Sequence, residues 1–150
     1  MVVDYDNGKE ALTLYNRVDK VGRKVAWIAL MPLTGRTHQL RAHCGALEAP
    51  ILGDGKYGGK SAYPLGDKVS KDMMLHAREI ALPHPEDGTT LRVTAELSPH
   101  MVKAWEALGF NQKKGEDAIE ILQGYSGDLA HCPPKELRDF YNAKDDRNYD

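Results

Sequence analysis

The stretch from residue 10 to residue 32 constrains the fold most. Residues 10–18, EALTLYNRV, alternate apolar and polar side chains with the period of a strand, and residues 24–32, KVAWIALMP, form a second, more apolar run. The intervening DKVGR carries a turn glycine and reads as the loop of their hairpin.

The rest of the chain adds helices to strands. Leu40, Cys44 and Leu47 recur at i, i+4 and i+7, so residues 37–48 are expected to form a helix with that face buried, started by Thr37 or by Thr34 one turn earlier. The glycine-rich segment ILGDGKYGGKSAYPLGDK predicts an extended, ordered loop. Two further strands are expected at 74–82 and 90–95, joined by PHPEDGT. Helices follow at 98–108, with Ser98 as cap and Pro99 in the first turn, and at 116–123 and 134–143. The predicted class is therefore α+β, with a mixed, mainly antiparallel sheet and flanking helices. Its body is assigned to residues 1–110, and residues 111–150 to a polar helical C-terminal extension.

A chain of 150 residues suits one domain. No run approaches the roughly 20 apolar residues of a membrane span, and the N-terminus lacks the basic and apolar regions of a signal peptide. The expectation is a soluble, cytoplasmic chain with no membrane partner. Cys44 and Cys132 form no Cys-x-x-Cys spacing, which argues for reduced thiols rather than a disulfide framework or zinc knuckle. The net charge of −2 conceals an asymmetry: residues 17–60 hold eight bases against three acids, and residues 111–150 six bases against nine acids. Such a basic stretch is compatible with a polyanionic partner without establishing one.

The donor-rich segment PLTGRTHQLRAH lies at the predicted helix start. Free backbone N–H groups there, with Arg36, His38 and Arg41 nearby, make a place for an anion, while solvated arginines and packed histidines are the plainer alternative. His38 and His43 are five apart, about 140° around a helix, and do not converge on a metal.

Four blocks in order, PLTGRTHQLRAH, PILGDGKYGG, LHAREIALPHP and GTTLRVTAELSPHM, closely resemble the C-terminal half of the catalytic domain of the RluA-type RNA pseudouridine synthases, over roughly residues 10–110. The resemblance implies an isomerase that converts uridine to pseudouridine in structured RNA, without metal or organic cofactor, on a base extruded into a pocket. It suggests large-subunit ribosomal RNA as the partner and leaves transfer RNA open. It implies that Arg41 pairs with the nucleophilic aspartate, which a guanidinium keeps ionised and oriented. It implies that Leu75 lines the base pocket, and that Arg36, Thr37, His38 and Gln39 either order the turn or touch RNA. Asp54 and Tyr57 fall in a matching loop and read as a turn-forming carboxylate and a packing ring.

The family's nucleophile lies in a His-Arg-Leu-Asp-x-x-Thr-Ser-Gly segment upstream of the arginine motif, and this sequence contains no such segment. Asp19, in NRVDKVG, mimics its centre but sits in the predicted hairpin turn without the Thr-Ser-Gly. The family's base-stacking tyrosine belongs to the same absent half, and neither Tyr15 nor Tyr57 matches it. Arg41 is thus expected to pair with an aspartate that this chain does not supply, and the chain alone to be inactive. A truncated domain is also expected to expose a sheet edge and self-associate. Two other function classes remain: a non-catalytic RNA-binding module using the basic 17–60 stretch, and a nucleotide-handling enzyme, which lacks a Walker loop and a metal-binding carboxylate pair.

Overall fold

The computed structural model describes residues 7–129. Strands β1 (Thr13–Val21) and β2 (Val25–Pro32) form the antiparallel hairpin. Leu14 stands opposite Met31 and Arg17 opposite Ile28, and a bulge between Arg17 and Asp19 then sets Asp19 opposite Trp27. Helix α1 (Gln39–Ala46) and the single turn α2 (Gly55–Gly58) follow. After two 3₁₀ turns the chain enters a second hairpin, β3 (Glu79–Pro83) with β4 (Thr90–Thr94), and ends in helices α3 (Pro99–Leu108) and α4 (Lys114–Leu129).

The class is α+β, with the strands divided between two separate two-stranded antiparallel ladders among the described residues. The helix expected at 134–143 lies outside those residues. Helix α4 begins two residues before the expected 116; Ala118 and Leu122 are buried, and Lys114 reaches Asp19 on β1 at 2.8 Å.

The core forms where hairpin β1–β2 meets α3. Val25, Met101, Ala104, Trp105 and Phe110 are buried together, with Trp27 and Leu97 packed against them. Trp27, Trp105 and Phe110 form a tilted aromatic cluster with ring centroids 5.4–5.7 Å apart, a spacing at which edges meet faces. Phe110 is turned inward by the end of α3. Gly109 adopts φ +72°, and the Phe110 N–H returns to the Trp105 carbonyl at 2.9 Å, closing a left-handed cap over its own hydrophobic contact. At the other end Pro99 occupies the first turn as expected, but the Ser98 hydroxyl makes no capping bond.

Two local expectations fail at α1. Neither threonine caps it: His38 holds the cap position in a left-handed conformation, φ +54°, with no side-chain cap bond. Thr34 instead donates to Gln39 Oε1 at 2.7 Å and accepts from the Leu12 N–H at 2.9 Å. The expected Leu40–Cys44–Leu47 face is not the buried one either. Gln39 and Ala42 are buried, Leu40 and Cys44 are half-buried, and Leu47 is 68% exposed. The helix is docked by a polar knot instead, and that knot fixes which face turns inward.

The loop after α1 is shaped by a crossing of backbones. Gly53 has φ +79°, and a Cβ there would lie 2.2 Å from the Asp72 carbonyl oxygen and 2.8 Å from Met73 Cα. Both objections are to backbone, which cannot swing aside. Gly53→Ala is therefore expected to destabilise the protein by about 3 kcal/mol or more, from the forced φ together with the clash. Thermal denaturation checks this, and an unchanged midpoint would contradict it.

Candidate functional site

Gln39 organises the helix start. Its side-chain oxygen accepts from Thr34 Oγ1 and from the Arg36 N–H at 3.0 Å, and its nitrogen donates to the Leu12 carbonyl at 2.9 Å and to Thr13 Oγ1 at 3.0 Å. With four partners and 6% exposure it orders the turn, the first of its two expected roles. His43 adds a second tie to β1 through Thr13 Oγ1 at 3.0 Å. Arg36 is exposed and donates from Nε to the Glu10 carbonyl at 3.1 Å; Thr37 is exposed.

Within the first turn of α1, Arg41 meets a carboxylate of this chain. Nε lies 2.8 Å from Asp54 Oδ2 and Nη2 2.7 Å from Asp54 Oδ1, a bidentate fork. Asp54 comes from the loop positioned by Gly53, and its side chain has no solvent exposure, against 19% for Arg41. Asp54 also begins α2, accepting from the Tyr57 N–H at 3.3 Å. Arg41 first, and then the Tyr57 N–H, hold its carboxyl below the ordinary carboxylate value against the opposing effect of burial. The expected turn-forming role of Asp54 is real, and the pairing with Arg41 is what sequence reasoning missed.

Tyr57 does more than pack. Its ring centroid is 5.0 Å from the Arg41 Cζ, and its hydroxyl is 3.0 Å from His38 Nδ1. The unusual backbone of His38 turns its ring to this hydroxyl, edge-on, with centroids 5.8 Å apart. Desolvation and then the cations Arg41 and Lys56 push the His38 pKa below its ordinary value, so at neutral pH the ring is uncharged.

Arg41, Asp54, Tyr57 and His38 therefore form one contiguous group. Leu75 stands elsewhere, in an open cleft of about 1410 Å³ whose lining also includes Leu40 and Cys44 but not Arg41. Consecutive residues 24–32 line one side of that cleft and consecutive residues 74–81 another. β2 pairs only with β1, and β3 only with β4, among the described residues, so each strand keeps an open edge. Burial raises the Cys44 thiol above its usual pKa, which keeps it protonated. Asp19 accepts from Lys114 Nζ at 2.8 Å and from the Lys20 N–H at 2.9 Å, in β1 and away from Arg41. Among the described residues no group of three or more His, Cys, Asp or Glu could hold a metal, and no helix is long and apolar enough to cross a membrane.

No family model matches the chain. Among curated proteins it is 43% identical over 95 residues to ribosomal large subunit pseudouridine synthase C of Rickettsia typhi, covering 63% of this chain and 30% of the relative. It is 38% identical over 94 residues to the dual-specificity RNA pseudouridine synthase RluA of Yersinia pestis, covering 44% of that protein, and 40% identical over 97 residues to RluA of Salmonella typhi, covering 42%. Over the matched segment this chain is similar to pseudouridine synthases of both the RluC and the RluA kind. The match spans between about a third and under a half of the length of these relatives. The resemblance carried by the four sequence blocks is thus borne out across the RluC and RluA branches alike.

Proposed function

We propose that this chain is the C-terminal part of the catalytic domain of an RNA pseudouridine synthase that isomerises uridine in large-subunit ribosomal RNA. The reaction breaks the N1–C1′ bond, turns the uracil and rejoins it through C5, with an aspartate as nucleophile and no cofactor. Arg41 is the residue through which the chain takes part: its guanidinium keeps the nucleophilic carboxylate ionised and oriented while the extruded uracil is processed. The observation that carries this reading is the fixed, half-engaged guanidinium of Arg41, in a segment similar to synthases of both branches.

Asp54 is not that nucleophile. Both its oxygens are committed to Arg41, and its side chain has no exposure through which a ribose or base could be attacked. Asp19 pairs with Lys114 and not with Arg41, the cation the nucleophile is expected to meet. On this reading the nucleophile comes from outside these residues, and the chain on its own is catalytically silent. Arg36, Thr37 and His38, all exposed beside the site, supply contacts to RNA phosphates, and Leu75 with Leu40 lines the hollow for the base.

The surface agrees with an incomplete domain. On one face of the β3–β4 hairpin, Ile80 stands opposite Val93 and Leu82 opposite Leu91, with exposures of 58%, 49%, 36% and 39%. Four apolar side chains on one open face, together with the unpaired edges along the cleft, favour pairing with another chain. Self-association at micromolar concentration is the expected result. Light scattering checks it, and a monodisperse monomer would contradict it.

A further inference from the structure

A guanidinium has two edges that can each hold a carboxylate. At Arg41 the inner edge, Nε and Nη2, is filled by Asp54. Nη1, which with the second hydrogen of Nη2 makes the outer edge, has no hydrogen-bond partner among the described residues, and the side chain keeps 19% exposure.

Asp54 is held independently of Arg41. Its N–H donates to the Ile51 carbonyl at 3.0 Å, its carbonyl accepts from the Gly58 N–H at 2.9 Å, and Gly53 is wedged against the backbone of residues 72–73. It is the stationary member of the pair, and Arg41, at the end of a long side chain, is the member that needs fixing. Turning the guanidinium about its own bonds would break both hydrogen bonds and lift it off the Tyr57 ring, itself tethered to His38.

We propose that Asp54 is a positioning residue: by gripping the inner edge of Arg41, with Tyr57 against the guanidinium face, it holds the outer edge ready for a second carboxylate. This rests on the reading of Arg41 given above and names what prepares it. The pair is formally neutral, yet Lys56 and Arg41 keep the surroundings positive. Lys56 Nζ lies 5.8 Å from the Tyr57 ring centroid, and its charge with that of Arg41 outweighs Asp54 at His38. A second anion is therefore attracted rather than repelled.

The test is nuclear magnetic resonance of the ¹⁵N-arginine-labelled chain, with Arg41→Lys to identify the signals and acetate as the carboxylate probe against a chloride control. In the wild-type chain the Arg41 Nε–H should exchange slowly with water, and acetate should shift the Nη signals saturably while leaving Nε in place. In Asp54→Asn the Nε–H should lose its protection, and acetate should move Nε and Nη together because no carboxylate any longer holds the guanidinium by its inner edge. Unchanged near-ultraviolet circular dichroism from Trp27 and Trp105 confirms that variant's fold, and if it does not fold the wild-type titration decides alone. Acetate acting no differently from chloride on the wild-type Nη signals, acetate displacing the wild-type Nε signal, or Nε protection surviving Asp54→Asn would each overturn the proposal. None of these readouts involves RNA, so a failure of RNA modification bears on the functional reading and not on this one.

Discussion

Arg41→Met is expected to destabilise the protein strongly at neutral pH, and its deficit relative to the wild type is expected to shrink as the solution is acidified. The substitution leaves the carboxylate of Asp54, which has no solvent exposure, without its cation. Stranding a buried charge in this way costs about 3–5 kcal/mol, which for a domain of this size lowers the melting temperature by about 10 °C or more. Removing the other partner should be milder. In Asp54→Ala the guanidinium can turn to water through its 19% exposure, and the loss is the fork and the cap of α2, about 2–3 kcal/mol.

The pH dependence follows from the direction of each shift. In the wild type the carboxyl of Asp54 titrates below its ordinary value of 3.8, chiefly because of Arg41. Its contribution is complete above that value and is lost as pH falls through the lowered one. In Arg41→Met burial is opposed only by the N–H groups of Tyr57 and Lys56, so the carboxyl titrates higher than in the wild type. Acidification then protonates it in the folded state and relieves the penalty. Melting temperatures of both proteins between neutral and acid pH check this. A difference that stays constant or widens on acidification would contradict the assignment of Asp54 as the buried partner.

The second large effect is catalytic. Given unmodified large-subunit ribosomal RNA, the chain alone should introduce no pseudouridine, mapped as carbodiimide-dependent reverse-transcription stops. Of the two acids that could be mistaken for the nucleophile, Asp54 has no exposed side chain and Asp19 pairs with Lys114 rather than with Arg41. On the proposed reading the chain holds an arginine and a base hollow but no nucleophile, and such a set cannot open a glycosidic bond. A new stop produced by the chain alone would overturn this.

The sequence made the secondary structure legible where periodicity is strong. Both hairpins, α3 and the onset of α4 fall within a few residues of expectation, apart from a late start to β3. It misread the orientation of α1, because the pattern of Leu40, Cys44 and Leu47 reports which residues are apolar and not which are covered. The docking face was chosen by the amide of Gln39, whose four partners come from two distant parts of the chain, and no periodicity encodes that. Arg41 stood out through its motif. Asp54 did not, because the fork joins residues thirteen apart through a loop whose path depends on Gly53 crossing residues 72–73. One signal was present: residues 17–60 contain only three acids, and one of them lies between two glycines. A carboxylate so placed in a basic stretch calls for a cationic partner.

Arg41 is proposed to serve a nucleophile supplied from outside these residues. The most direct measurement mixes the chain with the part of the Rickettsia typhi synthase that lies N-terminal to the matched segment and quantifies pseudouridine in unmodified large-subunit ribosomal RNA. Modification is expected from the mixture and from neither component alone, falling by about a hundredfold or more with Arg41→Met as the nucleophile loses its orientation. Equal conversion with Arg41→Met, modification by the chain alone, or a mixture that forms a complex yet modifies nothing would contradict it.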